Sequence, residues 1–179
     1  GTGGMSLFLR KESRSSIAAA AKQVGTFTLP MLNLPGRRLA TCATASAEIS
    51  LQQTVWPENP FAESGTYAVT ENFTEPETNW TEIEADCCTL DETTIRSMDV
   101  RECGETLSIQ GLSNPIEFIV NVTRQTEDDD DVMETRTCFY FDEENEEWTT
   151  EGCQTVEMYD DYIVCQCNHL STFGGAFGN

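Results

Sequence analysis

Eight cysteines in a chain of 179 residues constrain its fold more than any other feature of the sequence. An even number of cysteines in an acidic domain favours disulfides, which form and persist mainly in oxidising compartments. N-glycosylation sequons that begin at Asn72, Asn79 and Asn121 agree with such a location. We therefore expect an extracellular or luminal glycoprotein domain whose disulfides are formed by Cys42, Cys87, Cys88, Cys103, Cys138, Cys153, Cys165 and Cys167.

Charge divides the chain into two unequal parts. The net charge of −21 repels phosphate, which argues against nucleic acid and anionic membranes as partners. Residues 1–40 contain six Lys and Arg residues and one acid, whereas residues 41–179 contain four Arg residues and thirty acids. We expect residues 1–40 to be an arm or part of a different structural unit, and residues 41–179 to form the main domain.

The sequence shows neither a signal peptide nor a membrane-spanning segment. The first residues lack the basic region and apolar core of a signal peptide. No apolar run approaches the ~20 residues that a membrane helix needs. Because the cysteines and sequons indicate export, we expect the chain to be a fragment of a longer protein.

Two acidic runs, at residues 127–131 and 142–147, are expected to lie in solvated loops. A calcium site is the alternative, but neither run has the Asp-x-Asp-x-Asp-Gly order of a known calcium loop. We therefore assign no metal and no other cofactor to the chain.

A period of two dominates the sequence after Pro35 and predicts β-strands. Residues 45–52 alternate between apolar and polar side chains, and residues 116–122 do the same except at Ile119. Shorter candidate strands are residues 66–70, 107–110, 137–141, 162–167 and 172–177. Many short strands separated by Gly, Pro and acidic turns predict a mainly β fold, an antiparallel β-sandwich.

One helix is predicted near the N-terminus, between Ser13 and Gly25. Ile17 and Val24 recur at helical spacing with two alanines between them, and a glycine suits the position after a helix end. Because this stripe is mostly alanine, we expect it to pack on the domain rather than on a membrane.

The last forty residues contain the groups that can do chemistry. His169 is the only histidine, and Ser171 lies two residues beyond it, so in an extended segment both side chains point to one face. Histidine can remove a proton near neutral pH, and a serine hydroxyl is a weak nucleophile until a base activates it. The carbonyl nearest to Ser171 is that of Leu170, and attack on it gains the high effective concentration of a tethered reactant.

This pair permits an N-to-O acyl shift. Ser171 attacks the Leu170 carbonyl while His169 takes the hydroxyl proton, and water then hydrolyses the ester between residues 170 and 171. A planar trans peptide resists such attack, so we expect the fold to strain this bond. Disulfides close by would hold that strain.

The same residues have two other interpretations. A His-x-Ser pair is common and, by itself, usually inert. Alternatively, Cys153, Cys165, Cys167 and His169 ligate zinc, although an oxidising location disfavours free thiolates. The last four cysteines allow three disulfide pairings, and the sequence alone does not choose among them.

A longer pattern surrounds the pair. Residues 138–174 contain in order a Cys with aromatic neighbours, a Trp, Gly-Cys, Cys-x-Cys and His-Leu-Ser. This pattern resembles the GPS motif, which ends the GAIN domain of adhesion G-protein-coupled receptors and polycystin-1-like proteins. Residues 112–119 also resemble the strand that precedes the motif. Residues 1–111 match only in the order of their predicted elements, a helix end followed by short strands, like the end of a helical subdomain followed by a β subdomain.

The resemblance implies a fold like that of GAIN subdomain B and a single self-cleavage after Leu170. His169 would be the base and Ser171 the nucleophile, so the chain would not be a turnover enzyme. The resemblance further implies that the fragment from Ser171 onward stays bound as a buried strand. Other extracellular and membrane domains of the same protein would be its further partners.

Cysteine pairing is implied for half of the cysteines. The resemblance implies the disulfides Cys138–Cys165 and Cys153–Cys167. Adjacent cysteines rarely bond each other because the peptide between them would be strained. We therefore expect Cys87 and Cys88 to pair with Cys42 and Cys103; the alternative is that one pair stays free or joins another chain.

The C-terminal tail, residues 171–179, favours one of the two groups of proteins that carry this motif. Adhesion receptors usually carry a bulky aliphatic run after the cut, whereas residues 171–179 read Ser-Thr-Phe-Gly-Gly-Ala-Phe-Gly-Asn, which is closer to polycystin-like proteins. We expect a self-cleaving mechanical or signalling join between the extracellular and membrane regions of a large surface protein. The alternative is an uncleaved structural or adhesive module.

Overall fold

The computed structural model describes residues 5–34, 49–61, 67–68, 88–127 and 131–178, and the elements below lie in these ranges. They comprise one short helix and fifteen strands: β1 (Ser6–Glu12), α1 (Arg14–Ala19), β2 (Lys22–Val24), β3 (Phe27–Leu29), β4 (Ile49–Val55), β5 (Tyr67–Ala68), β6 (Cys88–Glu102), β7 (Glu105–Thr106), β8 (Ile116–Asn121), β9 (Arg124–Glu127), β10 (Asp131–Glu134), β11 (Thr137–Asp142), β12 (Glu147–Thr149), β13 (Cys153–Met158), β14 (Tyr162–Cys167) and β15 (Thr172–Gly178).

Two sheets hold most of these strands. The eight-stranded sheet has the order β1-β4-β6-β15-β11-β12-β5, with β7 paired to β6, and the five-stranded sheet has the order β13-β14-β8-β3-β2. β9 and β10 form a separate two-stranded sheet. Neighbouring strands are antiparallel except β12 and β5. The predicted mainly β, antiparallel sandwich-like fold with a short N-terminal helix is therefore confirmed.

Alternation of side chains located several strands correctly. In β8, Ile116, Phe118 and Val120 are buried while the residues between them are exposed. β11, β14 and β15 also coincide closely with predicted strands. The predicted strand at residues 107–110 is wrong, because this segment is irregular and bonds to the loop before β15 instead. Residues 45–48, within another predicted strand, lie outside the described ranges.

The helix is shorter than predicted. Ser13 is its N-cap and accepts a hydrogen bond from the Ser16 amide, but the helix ends at Ala19. Val24 is fully buried in β2, and Gly25 has a φ of +58° in the turn that leads to β3. An alanine stripe buries little apolar area, so pairing of β2 with β3 replaces the last helical turns.

The core lies between the two sheets and around a second cluster. Phe27, Phe118 and Phe173 contact one another with ring centroids 4.6–5.7 Å apart. The second cluster contains Trp148 and Ala176. Phe173 of β15 belongs to the first cluster and Ala176 to the second, so β15 is buried on both of its faces.

Two disulfides fasten the C-terminal strands. Cys138–Cys165 joins β11 of the larger sheet to β14 of the smaller one, with Cα atoms 6.1 Å apart. Cys153–Cys167 joins the paired strands β13 and β14, with Cα atoms 4.1 Å apart. These are the two pairs that the resemblance implies.

The structure describes only some of the remaining four cysteines. Cys103 is disulfide-bonded. Cys42 and Cys87 lie outside the described ranges, as does the side chain of Cys88. Their pairing stays a prediction.

The N-terminal segment takes part in both sheets. β1 pairs along its whole length with β4, and β3 pairs with β8. The predicted boundary at residue 40 falls outside the described ranges, so the division into two domains stays a prediction. In the described part of the chain, no helix has the length and apolarity needed to cross a membrane.

Replacing Phe118 should test the role of the aromatic cluster. Phe118→Ala empties a site between two sheets and should lower the free energy of unfolding by about 3–5 kcal/mol. Ile119→Ala, on the exposed face of the same strand, should change it by less than about 0.5 kcal/mol. Urea unfolding of both variants measures the difference, and equal effects would contradict the proposed core.

Candidate functional site

The segment 168–171 between β14 and β15 contains the predicted site residues. Its first residue is held on both sides, since the Asn168 amide donates to the Gly152 carbonyl at 3.1 Å and the Asn168 carbonyl accepts from the Leu112 amide at 2.8 Å. Gly152 has a φ of +74°, and a Cβ there would lie 2.6 Å from the Asn168 side-chain oxygen. The positive φ therefore favours glycine at this position, and its missing side chain lets the two loops approach closely.

Main-chain hydrogen bonds also hold the two residues of the candidate scissile bond. The Leu170 amide donates to the Ile109 carbonyl at 3.0 Å, and the Ser171 carbonyl accepts from the Met98 amide at 3.1 Å. The peptide between Leu170 and Ser171 is thus anchored at both ends to different strands or loops. The predicted strain of this peptide stays a prediction.

His169 and Ser171 are in direct contact. The Nδ1 atom of His169 lies 3.0 Å from the Ser171 Oγ atom. His169 is 9% exposed, and Ser171 is half-buried. This geometry is the one that a base needs to take a proton from a serine hydroxyl.

Two aromatic rings fix the orientation of the imidazole. The Tyr140 ring centroid lies 4.1 Å from that of His169 at an angle of 58°, and the Phe173 ring lies nearly parallel to it at 5.9 Å. Tyr140 and Phe173 are register partners on β11 and β15. The sheet therefore aims the imidazole at the residue that precedes β15.

Burial keeps the imidazole neutral. It lowers the pKa of His169 below 6.5, although the Glu151 carbonyl and the Asp142 carboxylate oppose this shift. The Leu170 carbonyl also favours the protonated ring, to a smaller extent. A neutral ring near pH 7 is the form that can act as a base.

The tautomer follows from the contacts. If Nδ1 accepts the Ser171 hydroxyl proton, the ring proton is on Nε2. That nitrogen is buried, and no group in the described part of the chain meets it with hydrogen-bond geometry.

A surface cavity of about 820 Å³ opens beside the candidate bond. His169, Leu170 and Ser171 line one side of it. Its remaining walls include five acidic residues: Asp99, Asp142, Glu143, Glu144 and Glu151. The cavity gives water access to this segment.

A hydroxyl chain positions the residue after the nucleophile. The Trp56 indole N–H donates to the Ser97 hydroxyl at 2.7 Å, and the Ser97 and Thr172 hydroxyls are 2.7 Å apart. Ser97 and Thr172 are register partners on β6 and β15. The contact therefore pins β15 at its first residue.

Sequence reasoning did not identify the supporting residues. Tyr140 and Gly152 lie within the motif, but nothing in their spacing says that they contact His169 or Asn168. Ser97, Trp56 and Ile109 are separated from the pair by sixty residues or more, so no local signal points to them. Their roles depend on strand pairing, which a single sequence does not reveal.

The metal alternatives have little support. Cys153, Cys165 and Cys167 are in disulfides, which removes the thiolates that a zinc site would need. Among the described residues, no three His, Cys, Asp or Glu side chains converge as a metal site would require. In the second acidic run, Asp142 instead accepts hydrogen bonds from the Glu144 amide and the Asn145 side chain.

Residues 92–174 match the model of the GPS family, described as GAIN subdomain B. The match includes the whole of the predicted motif and extends upstream into β6. The resemblance to a GPS motif is thereby confirmed for this part of the chain. The roles of His169, Leu170 and Ser171, and glycosylation at Asn72, Asn79 and Asn121, stay predictions. Asn72 and Asn79 lie outside the described ranges, and Asn121 is exposed at the end of β8.

The pKa of His169 should respond to its charged neighbour. In an uncut Ser171→Ala background, NMR titration of the only histidine should give a pKa below 6.5. Asp142→Asn should lower it further, because a nearby carboxylate favours the protonated ring. Asp160→Asn, which alters an exposed acid elsewhere, serves as the control. A pKa above 6.5, or equal effects of the two variants, would contradict this account.

Proposed function

We propose that this chain, whose residues 92–174 carry the GPS motif, cleaves itself once between Leu170 and Ser171 and remains a non-covalent pair of fragments. The observation that carries the proposal is the 3.0 Å contact between His169 Nδ1 and Ser171 Oγ next to an anchored peptide. The substrate is the chain's own backbone, so the reaction occurs once per molecule.

The first stage is an N-to-O acyl shift. His169 Nδ1 takes the Ser171 hydroxyl proton while Oγ attacks the Leu170 carbonyl carbon, which forms a five-membered ring intermediate. The C–N bond then breaks, the leaving amine takes the proton from the imidazolium, and an ester joins Leu170 to Ser171 Oγ. The Leu170 carbonyl favours the protonated ring of His169. As this carbonyl oxygen becomes an oxyanion, it and the imidazolium stabilise each other.

The second stage is ester hydrolysis. Water from the adjoining cavity attacks the ester carbonyl, leaving a carboxylate on Leu170 and a hydroxyl and a free amine on Ser171. The buried imidazole is again available as the base. No cofactor is required in either stage.

The fragments would stay together because β15 is buried. It pairs with β6 on one edge and with β11 on the other. Phe173 and Phe177 are both buried, and each buried aromatic side chain contributes about 2 kcal/mol. Cleavage thus removes a covalent bond without removing the contacts that hold the strand.

The chain would act as a mechanical or signalling join. Disulfides suit an extracellular location at the cell surface, and the glycosylation predicted from the sequons agrees with it. The chain's partners would be its own fragment from Ser171 and other extracellular and membrane domains of the same protein. Nucleic acid is disfavoured by the net charge of −21.

The tail supports a polycystin-like rather than an agonist-bearing protein. A Cβ on Gly174 would lie 2.9 Å from Leu90, and one on Gly175 would lie 2.7 Å from Val120. Bulky aliphatic residues therefore do not fit at these two positions of β15.

Substitution of the nucleophile tests the proposal. Chain 1–179 should give two masses under denaturing, reducing conditions, those of residues 1–170 and 171–179. Ser171→Ala should give one mass, because no hydroxyl remains to attack. Ser171→Thr retains a hydroxyl and should still cut, whereas His169→Ala should lose most of the cleavage.

The control is Ser108→Ala, which removes an exposed hydroxyl on the same cavity. It should cut normally. Hydroxylamine should trap the ester, so that Leu170 is recovered partly as its hydroxamate. An uncut parent chain would overturn the proposal and leave an uncleaved structural or adhesive module as the better interpretation.

A further inference from the structure

β6 leaves regular pairing with β15 at one place. Phe173 pairs with Arg96 and Gly175 with Asp91, so β15 advances two residues while β6 advances five. A buried backbone amide that loses a ladder partner needs another acceptor. The Gly175 amide finds it in a side chain, the Thr94 hydroxyl, at 2.7 Å.

Asp91 organises this irregular part of β6. Its Oδ1 atom accepts from the Thr93 amide at 3.1 Å and from the Thr93 hydroxyl at 2.6 Å. Its carbonyl accepts the Thr94 hydroxyl proton at 2.6 Å. Because that proton is directed at Asp91, a lone pair of the Thr94 oxygen is free to accept from Gly175.

Asp91 also holds a second threonine, Thr135, next to Gly175. Its Oδ2 atom accepts from the Thr135 hydroxyl at 2.5 Å, and Thr135 is fully buried. A Cβ on Gly175 would collide with the Thr135 methyl group. The next residue, Arg136, donates its amide to the Ala176 carbonyl at 3.0 Å. Gly175 is thus enclosed by two threonines that are both bonded to one aspartate.

The aspartate is buried and charged. Asp91 is 2% exposed. Burial would raise its pKa, but the hydrogen bonds from Thr135, Thr93 and Thr123 together outweigh burial, and the pKa is lowered. A buried carboxylate whose oxygens are all engaged gives rigid geometry to the groups around it.

We infer that Asp91, Thr94 and Thr135 form a latch that retains β15 after its covalent link is cut. The inference rests on the proposed function, since retention matters only for a cleaved chain. The latch contacts Gly175, whereas His169 and Ser171 are positioned by other residues. Loss of the latch should therefore speed release of β15 and leave cleavage unchanged.

The experiment compares isosteric and conservative variants at one position. Thr94→Val keeps the shape but leaves the Gly175 amide without an acceptor, whereas Thr94→Ser keeps the hydroxyl. After cleavage is verified by denaturing mass, size-exclusion chromatography over time measures how fast residues 171–179 leave the larger fragment. Thr94→Val should release them faster by about tenfold, and Thr94→Ser at the parent rate.

A second variant and a matched control guard against a general loss of stability. Thr135→Val removes the other threonine hydroxyl and should also speed release. Thr149→Val removes a buried hydroxyl of β12, which accepts a hydrogen bond from the Glu151 amide. β12 is not paired with β15. This control variant should leave release within about twofold of the parent rate. Equal release by Thr94→Val and Thr94→Ser, or by Thr135→Val and Thr149→Val, would overturn the latch.

A cleavage-independent measurement separates failure of the latch from failure of the proposed function. In the uncut Ser171→Ala background, hydrogen–deuterium exchange at the Gly175 amide should rise by about tenfold or more in Thr94→Val and stay unchanged in Thr94→Ser. Unchanged exchange in Thr94→Val would overturn the latch whether or not the parent chain cuts. An uncut parent chain with the expected exchange would instead overturn the proposed cleavage alone.

Discussion

The structure depends most on the pairing of β15 with a strand on each of its edges. β6 bonds one edge and β11 the other, and both faces of β15 contribute to apolar clusters. This central position orders the residues that precede the strand, because the Ser171 carbonyl is already bonded to β6. The geometry of the candidate bond is therefore a consequence of sheet formation rather than of the local sequence.

Short-range patterns predicted the strands but not their partners. Alternation located β8 because this strand buries one regular face. β14 and β15 coincide with shorter predicted strands within or next to the cysteine motif. The prediction failed at residues 107–110, where an irregular segment bonds to the segment 168–171 instead. It also overextended the helix, since pairing of β2 with β3 gives Val24 a better-buried position than a helical turn would.

The candidate site was likewise predicted from the sequence only in part. His169, Leu170 and Ser171 follow from their adjacency, and a base beside a hydroxyl can be proposed from spacing alone. The ring of Tyr140, which contacts the imidazole together with that of Phe173, comes from β11, a strand that is distant in the chain. The lowered pKa of His169 arises from burial, and burial depends on the whole sandwich.

The central place of β15 determines whether its loss from the sheet can be reversed. A strand bonded on both edges leaves a slot between β6 and β11 when it departs, and those strands would close over the exposed apolar surface. In a chain cut as proposed, return of the strand becomes a bimolecular event that competes with that closure. Departure of β15 would thus be effectively irreversible. Each molecule would respond to a single displacement and then stay in the displaced state.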